Sequence, residues 1–256
     1  MLSDWNEGLK PHCGMSIQME EPSRREVLEA LMAAPKRGSR TESEVARSIG
    51  VQLAHMDLTS WSISIRRRVR DIVLSMAPDR ILEVGAGIGH LSAWLYDAFE
   101  DSPPRSYDLV EAGPKFSVIL HRLLTRYDAG AWSRVVSGRF ERLAAEAKAE
   151  LASARANPGT IDPKLAIPAD CIIIDVGWST ITPCVEVGLE VLAPTGLLLT
   201  TEPDVPLEDV DPDDEIGAAR IASFQAWIDM IQRIQTTHHV AFAPIHGGTL
   251  VGIMSR

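Results

Sequence analysis

What this chain has little of narrows it first. Its three cysteines, Cys13, Cys171 and Cys184, stand at no metal-ligand spacing in 256 residues. Their scatter fits reduced thiols of a cytoplasmic protein, and Cys171, inside an apolar run, reads as core. No apolar run approaches the length of a membrane span. The N-terminus lacks a basic head followed by an apolar core, so no secretory signal is expected. Basic residues are the minority, 25 against 35 acidic, for a formal net charge of −10. That balance argues against broad phosphate-backbone binding. The charge is uneven: across residues 24–70 the basic residues exceed the acidic by about five, which leaves room for a local basic face. Hydrophobic residues make up 45% and mean hydropathy is +0.01, a globular composition long enough for one domain and a modest extension.

Residues up to about Glu21 show no period and are expected to be loosely docked or disordered. Ser23 and Glu26 form a capping box. They open a helix through Val27, Leu28, Leu31 and Met32 that residues 35–39 break. Thr41 or Ser43 caps a second helix, ended by Gly50. Residues 43–51 resemble the first half of a helix-turn-helix, although helices packed beside a main domain are the simpler reading. Residues 62–77 make a stronger helix, with Ile65, Val69, Ile72, Val73 and Met76 on one face. Arg66, Arg67, Arg68 and Arg70 fall mostly on the others. This run reads as a solvated face, contact with an anionic substrate or nucleic acid being the other reading. The chain thus divides into a helical extension, residues 1–60, and a main domain, residues 61–256.

From there strands and helices alternate. Ile81, Leu82 and Val84 make one short buried strand. Gly85, Gly87 and Gly89 follow, and Leu91, Trp94, Leu95 and Phe99 resume a helical period. A second strand ends on Glu111, and a third, residues 134–137, ends at Gly138. Residues 140–155 read as a long exposed helix stopped by Asn157, Pro158 and Gly159. Residues 171–175 are a fourth strand whose β-branched run implies burial on both faces. A helix at 187–192, a fifth strand at 196–201 and an acidic, proline-spiked loop come next. Residues 216–234 are helical, with Phe224, Trp227, Ile228, Ile231 and Ile234 inward. A hairpin turning at His246, Gly247 and Gly248 closes the chain. The expected fold is α/β and Rossmann-like: a seven-stranded, mostly parallel sheet with a C-terminal antiparallel hairpin.

Ligands of such sheets sit at the carboxyl ends of the strands. Four features map there: the glycine loop, Glu111, Asp175 and Glu202. A dinucleotide fingerprint G-x-G-x-x-G starting at Gly85 would need glycine at position 90, where His90 stands, and Glu83 would face a diphosphate. The pattern acid-x-G-x-G-x-G instead fits Glu83, Gly85, Gly87 and Gly89 throughout. It suits S-adenosylmethionine: Glu83 for the ammonium and sulfonium end, Glu111 for the ribose, and Gly138, Arg139 and Phe140 bordering the adenine.

With these motifs in place, the chain from about Leu53 onward resembles class I S-adenosylmethionine-dependent methyltransferases. More narrowly it is similar to O-methyltransferases of the caffeoyl-CoA and catechol type. The similarity is carried by His55 and Met56, residues 81–95, residues 110–116 with Gly113 and Pro114, and Ile172 to Asp175. Residues 211–214, Phe224 and residues 243–250 add to it. The resemblance implies in-line methyl transfer to a small-molecule acceptor, a homodimer, and Asp175 as general base or ligand of a divalent cation, with His90 or Glu202 second. The chain departs from the pattern in three places. Gly177, Trp178 and Ser179 follow Asp175 where a lysine is common. Thr201 and Glu202 replace an Asp-Asn pair, leaving Asp175 and Glu202 as the implied ligands of Mg²⁺. Arg139 replaces an adenine-side Asp. Trp178, just past a strand end, has two readings, as lining of the acceptor pocket and as packing. Two other functions stay open: methylation of RNA or protein through the basic N-terminal segment, and a methyltransferase-like binding module without catalysis.

Overall fold

The computed structural model describes residues 22–33, 36–156, 163–206 and 214–256. The readings placed on Cys13, on residues up to Glu21, on Pro35, on Asn157 to Gly159 and on residues 211–213 lie outside these. The described elements are α1 (Arg24–Met32), α2 (Glu44–His55), α3 (Ile63–Met76), β1 (Arg80–Val84), α4 (His90–Ala98), β2 (Ser106–Glu111), α5 (Pro114–Arg126) and β3 (Ser133–Ser137). They continue with α6 (Phe140–Ala156), β4 (Ala169–Ile174), α7 (Ile181–Val191), β5 (Leu192–Thr201), α8 (Glu215–Ile234), β6 (His238–Ile245) and β7 (Gly248–Ser255).

The sheet runs β3-β2-β1-β4-β5-β7-β6. The first five of these strands pair in parallel, and β7 enters antiparallel between β5 and β6. The alternation along each strand explains why both faces are covered. Ile81, Cys171 and Ile173 join one apolar cluster with residues of α1 to α5, while Leu82, Val84, Ile172 and Ile174 join a second with residues of α6, α7 and α8. Chain order departs in opposite directions from β1 and β4, so a crevice opens at their carboxyl ends. The Asp175 amide donates to the Val84 carbonyl at 2.9 Å and ties the two ends together.

Local sequence accounts for most element starts. Ser23 caps α1 with Glu26 in the reciprocal box, and Ser43 and Ser62 cap α2 and α3. Three expectations are corrected. The second helix does not stop at Gly50 but runs on to His55, so the helix-turn-helix likeness is lost. Gly50 serves a close approach instead: a Cβ there would lie 3.2 Å from His90 Cε1, at the packing of α2 on α4. The helix at 140–156 is amphipathic rather than exposed, with Phe140, Leu143, Ala144 and Ala147 buried. The third concerns the arginines of α3. Positions 66, 69, 70 and 73 share one helical face, so Arg66 and Arg70 go inward with Val69 and Val73 and are 6% and 5% exposed.

Candidate functional site

At the crevice, β1 ends in three glycines with positive φ: Gly85 at 80°, Gly87 at 57° and Gly89 at 88°. They serve different needs. A Cβ on Gly85 would meet the Asp175 carbonyl oxygen at 2.0 Å, and one on Gly89 would meet Leu123 at 2.3 Å. A Cβ on Gly87 would meet nothing within 4 Å. Two glycines therefore allow the loop to pack, and the third leaves space in front of it. Behind the loop, Glu111 accepts from the Gly87 amide at 2.8 Å and from the Gly113 amide at 2.6 Å. The same loop delivers the N-terminus of α4, where Gly89 offers no side-chain cap. The first amides of that helix thus make no hydrogen bond to a capping side chain.

The space in front of Gly87 is a cavity of about 240 Å³. It brings together five of the predicted site residues, Glu83, Gly85, Gly87, His90 and Asp175. Gly89, Glu111, Gly138, Arg139, Phe140 and Glu202 do not line it. Glu111 touches it through Gly87, and the Gly138 amide donates to the Glu111 carbonyl at 2.9 Å. Phe140 is in the core and Arg139 is solvated, 3.9 Å from Glu141. Trp178 lies under α8, with the Arg220 guanidinium 5.9 Å from its ring centroid, and Ser223 donates to its carbonyl at 2.6 Å. His246 is structural at its backbone: its carbonyl accepts from the Ser62 hydroxyl at 2.6 Å.

The carboxyls of the cavity differ in state. Glu83 is fully buried and accepts from Ser92 at 3.0 and 3.1 Å and from Tyr107. Burial pushes its pKa up to about 8, only partly offset by those donors. It is therefore an engaged, largely neutral group at pH 7 rather than the free anion the motif suggested. Asp175 is raised to about 7 by burial, with the Arg66 charge working the other way. No described residue donates to its carboxyl group.

The cavity also holds Arg66 and Ser60, which the sequence reading did not place at the site, beside the predicted His90. Arg66 lines the cavity, donates to Glu42 at 2.7 Å and to Ser60 at 3.0 Å, and also donates to the Trp61 carbonyl. His90 bridges Ser60 through Nδ1 at 2.9 Å and Glu42 through Nε2 at 3.3 Å. Burial and the nearby Arg66 lower its pKa to about 4, so the ring is neutral at pH 7. The signal for Arg66 was its place on the Val69 and Val73 face; nothing in the local pattern marks Glu42 or Ser60. Arg70, in turn, is bound to Asp71 at 2.7 Å and to the Ser39 carbonyl at 2.7 Å, with Trp94 5.1 Å away. Two of the four arginines that suggested a basic face are thus committed inside the protein.

The implied Mg²⁺ site does not assemble. Among the described residues no three His, Cys, Asp or Glu side chains converge as a metal-binding group. Asp175 shares its cavity with a guanidinium, a poor neighbour for a divalent cation, and Glu202 is not in that wall.

The strand order, the antiparallel β7 and the glycine crevice define the Rossmann-like fold of class I methyltransferases. Solved structures bear out the resemblance to O-methyltransferases. The O-methyltransferase TomG from Streptomyces achromogenes, involved in tomaymycin synthesis and solved with S-adenosylmethionine, superposes with a TM-score of 0.63 at 16% identity, over 84% of this chain and 91% of that one. A Staphylococcus aureus protein provisionally described as a caffeoyl-CoA O-methyltransferase gives 0.64 at 14% identity, over 84% and 93%. The O-methyltransferase from Bacillus cereus, in complex with S-adenosylhomocysteine, gives 0.57 at 14%, over 84% and 92%. The sequence matches no protein-family model and no curated protein. No helix of the described residues is long and apolar enough to cross a membrane.

Proposed function

We propose that this chain binds S-adenosylmethionine and methylates an oxygen of a small molecule. The observation that carries the reading is the open space at Gly87, with Asp175 in its wall and Glu111 holding the Gly87 amide from behind. A Cβ-free approach beside the first amides of α4 suits a nucleoside with a charged tail. When bound, the donor supplies an electrophilic methyl group on a sulfonium.

The chain's own groups then divide the work. Gly85 and Gly87 let the ligand approach backbone. Glu111 keeps lone pairs beyond its two amide partners for the ribose hydroxyls. Gly138, Arg139 and Phe140 lie beyond Glu111 on the side assigned to the adenine. Asp175, open to the cavity, stands at the charged tail, and this donor-side role takes precedence over the base role expected from resemblance. His90 is a poor base because both ring nitrogens are engaged. Rate enhancement then comes chiefly from holding acceptor and donor in line, which favours acceptors whose O–H ionises readily.

Calorimetry with S-adenosylhomocysteine and NAD tests the donor, and transfer of labelled methyl to phenols, catechols and carboxylic acids tests the acceptor class. Binding of S-adenosylhomocysteine without NAD is expected. Binding of NAD alone sinks the donor reading, and label appearing only in RNA or protein sinks the acceptor reading.

A further inference from the structure

Arg66 is the one permanent cation among the described residues that line the cavity. A guanidinium buried in a protein wall is costly unless its charge and its N–H groups are met. Glu42 meets the charge from one side, and Ser60 and the Trp61 carbonyl take the two hydrogens of Nη1. That leaves Nη2 with one bond for its two hydrogens, while Nε, sealed from solvent in this structure, has no partner. A carboxylate that reaches Nη2 gains a charge-assisted hydrogen bond, and Nε lies on the same edge of the guanidinium.

In the same cavity the Asp175 carboxyl accepts nothing from a described residue. The two charges feel each other, since Arg66 lowers the pKa of Asp175, yet no ion pair forms between them. Opposite charges that share a small cavity without touching are the complement of a zwitterion. Glu83, the acid of the glycine motif, is not free for this purpose because Ser92 and Tyr107 hold it.

We infer that Arg66 and Asp175 form an amino-acid clamp, Arg66 taking the α-carboxylate and Asp175 the α-ammonium of the methionine end of the donor. The clamp rests on the donor reading above. Ser60, Glu42 and His90 are positioning residues: Glu42 bonds both Arg66 and His90, and His90 bonds Ser60. Recognition of the donor's tail therefore comes from α3 and the segment ahead of α2, while the glycine loop and Glu111 receive the nucleoside.

Three probes separate the parts: S-adenosylhomocysteine, which carries the whole tail; 5′-methylthioadenosine, which lacks it; and decarboxylated S-adenosylmethionine, which lacks only the carboxylate. For the wild-type chain, calorimetry should give tighter binding of S-adenosylmethionine than of its decarboxylated form by about 10- to 100-fold, the range of hydrogen bonds to a charged group. Arg66→Gln should lose that discrimination and weaken S-adenosylhomocysteine to the same degree, with 5′-methylthioadenosine bound as in wild type. Equal wild-type affinity for the carboxylated and decarboxylated donors overturns the clamp, with no variant needed, while the donor reading stands. An Arg66→Gln chain that keeps the wild-type preference also overturns it. Failure of the wild-type chain to bind any of the three removes the donor reading, and the clamp with it.

Discussion

At the scale of single residues, the three loop glycines carry separable burdens. Gly85→Ala drives a methyl group into the Asp175 carbonyl, a backbone atom that cannot yield. It should destabilise the fold by at least ~3 kcal/mol, the range of severe backbone and overpacking effects, or prevent folding. Gly87→Ala meets open space and adds only the strain of positive φ, about 1 kcal/mol. It should fold, with little loss of melting temperature, yet bind S-adenosylhomocysteine poorly because the methyl occupies the ligand's approach. Thermal melts beside calorimetry check both; a Gly87→Ala chain that binds normally would mean that the loop is not the nucleoside's seat. The two raised acids of the cavity set a pH dependence. Folding raises Glu83 to about 8 and Asp175 to about 7. A raised pKa contributes stability that is complete below the unfolded value, ~4, and is lost as pH climbs through the folded value. The ligand-free protein should therefore melt progressively lower from about pH 5 to pH 8 and level off above that. Asp175→Asn should flatten the lower part of that slope, and an unchanged slope counts against a raised Asp175 pKa.

At the scale of elements, α3 connects the core to the candidate site. Its inward face carries Val69 and Val73 for packing, Arg70 for the Ser39 backbone and Arg66 for the cavity wall. Its N-terminus is also an anchor: the Ser62 hydroxyl accepts from the Ile65 amide at 3.3 Å and donates to His246 of the β6–β7 turn at 2.6 Å. Ser62→Ala removes the cap and this tie together. A loss of about 1–2 kcal/mol is expected, a few degrees in melting temperature for a chain of this length. A melt indistinguishable from wild type would mean that the tie is idle. The same helix shows where sequence reading stops. Its cap, period and length are local and were legible, as were the glycine turn and the β-branched run of β4. Whether an arginine on a mixed face goes to solvent or inward depends on partners far along the chain. Glu42 and Ser60 meet Arg66 only after α2 and α3 fold back onto α4, and no spacing announces them.

For the molecule as a whole, the acidic balance and the two-faced sheet were readable because each strand alternates between the two cores, a pattern written residue by residue. The metal question was not, because it depends on which side chains share one cavity. Resemblance to caffeoyl-CoA and catechol O-methyltransferases implies a divalent cation at Asp175. In this chain the cation that shares the Asp175 cavity is a guanidinium held by Glu42, and Glu202 stands outside the wall. A divalent ion entering there would face the Arg66 charge at short range and would need several carboxylate or water oxygens that the described wall does not gather. The chain should therefore bind S-adenosylhomocysteine with the same affinity in EDTA and in millimolar Mg²⁺, and transfer methyl groups equally well in both. Arg66→Gln sharpens the comparison, since it removes the repelling charge. If Mg²⁺ raises activity in wild type, the clamp and the ion compete for Asp175, and donor affinity should fall as Mg²⁺ rises; if Mg²⁺ matters only in the variant, the guanidinium has taken the ion's place.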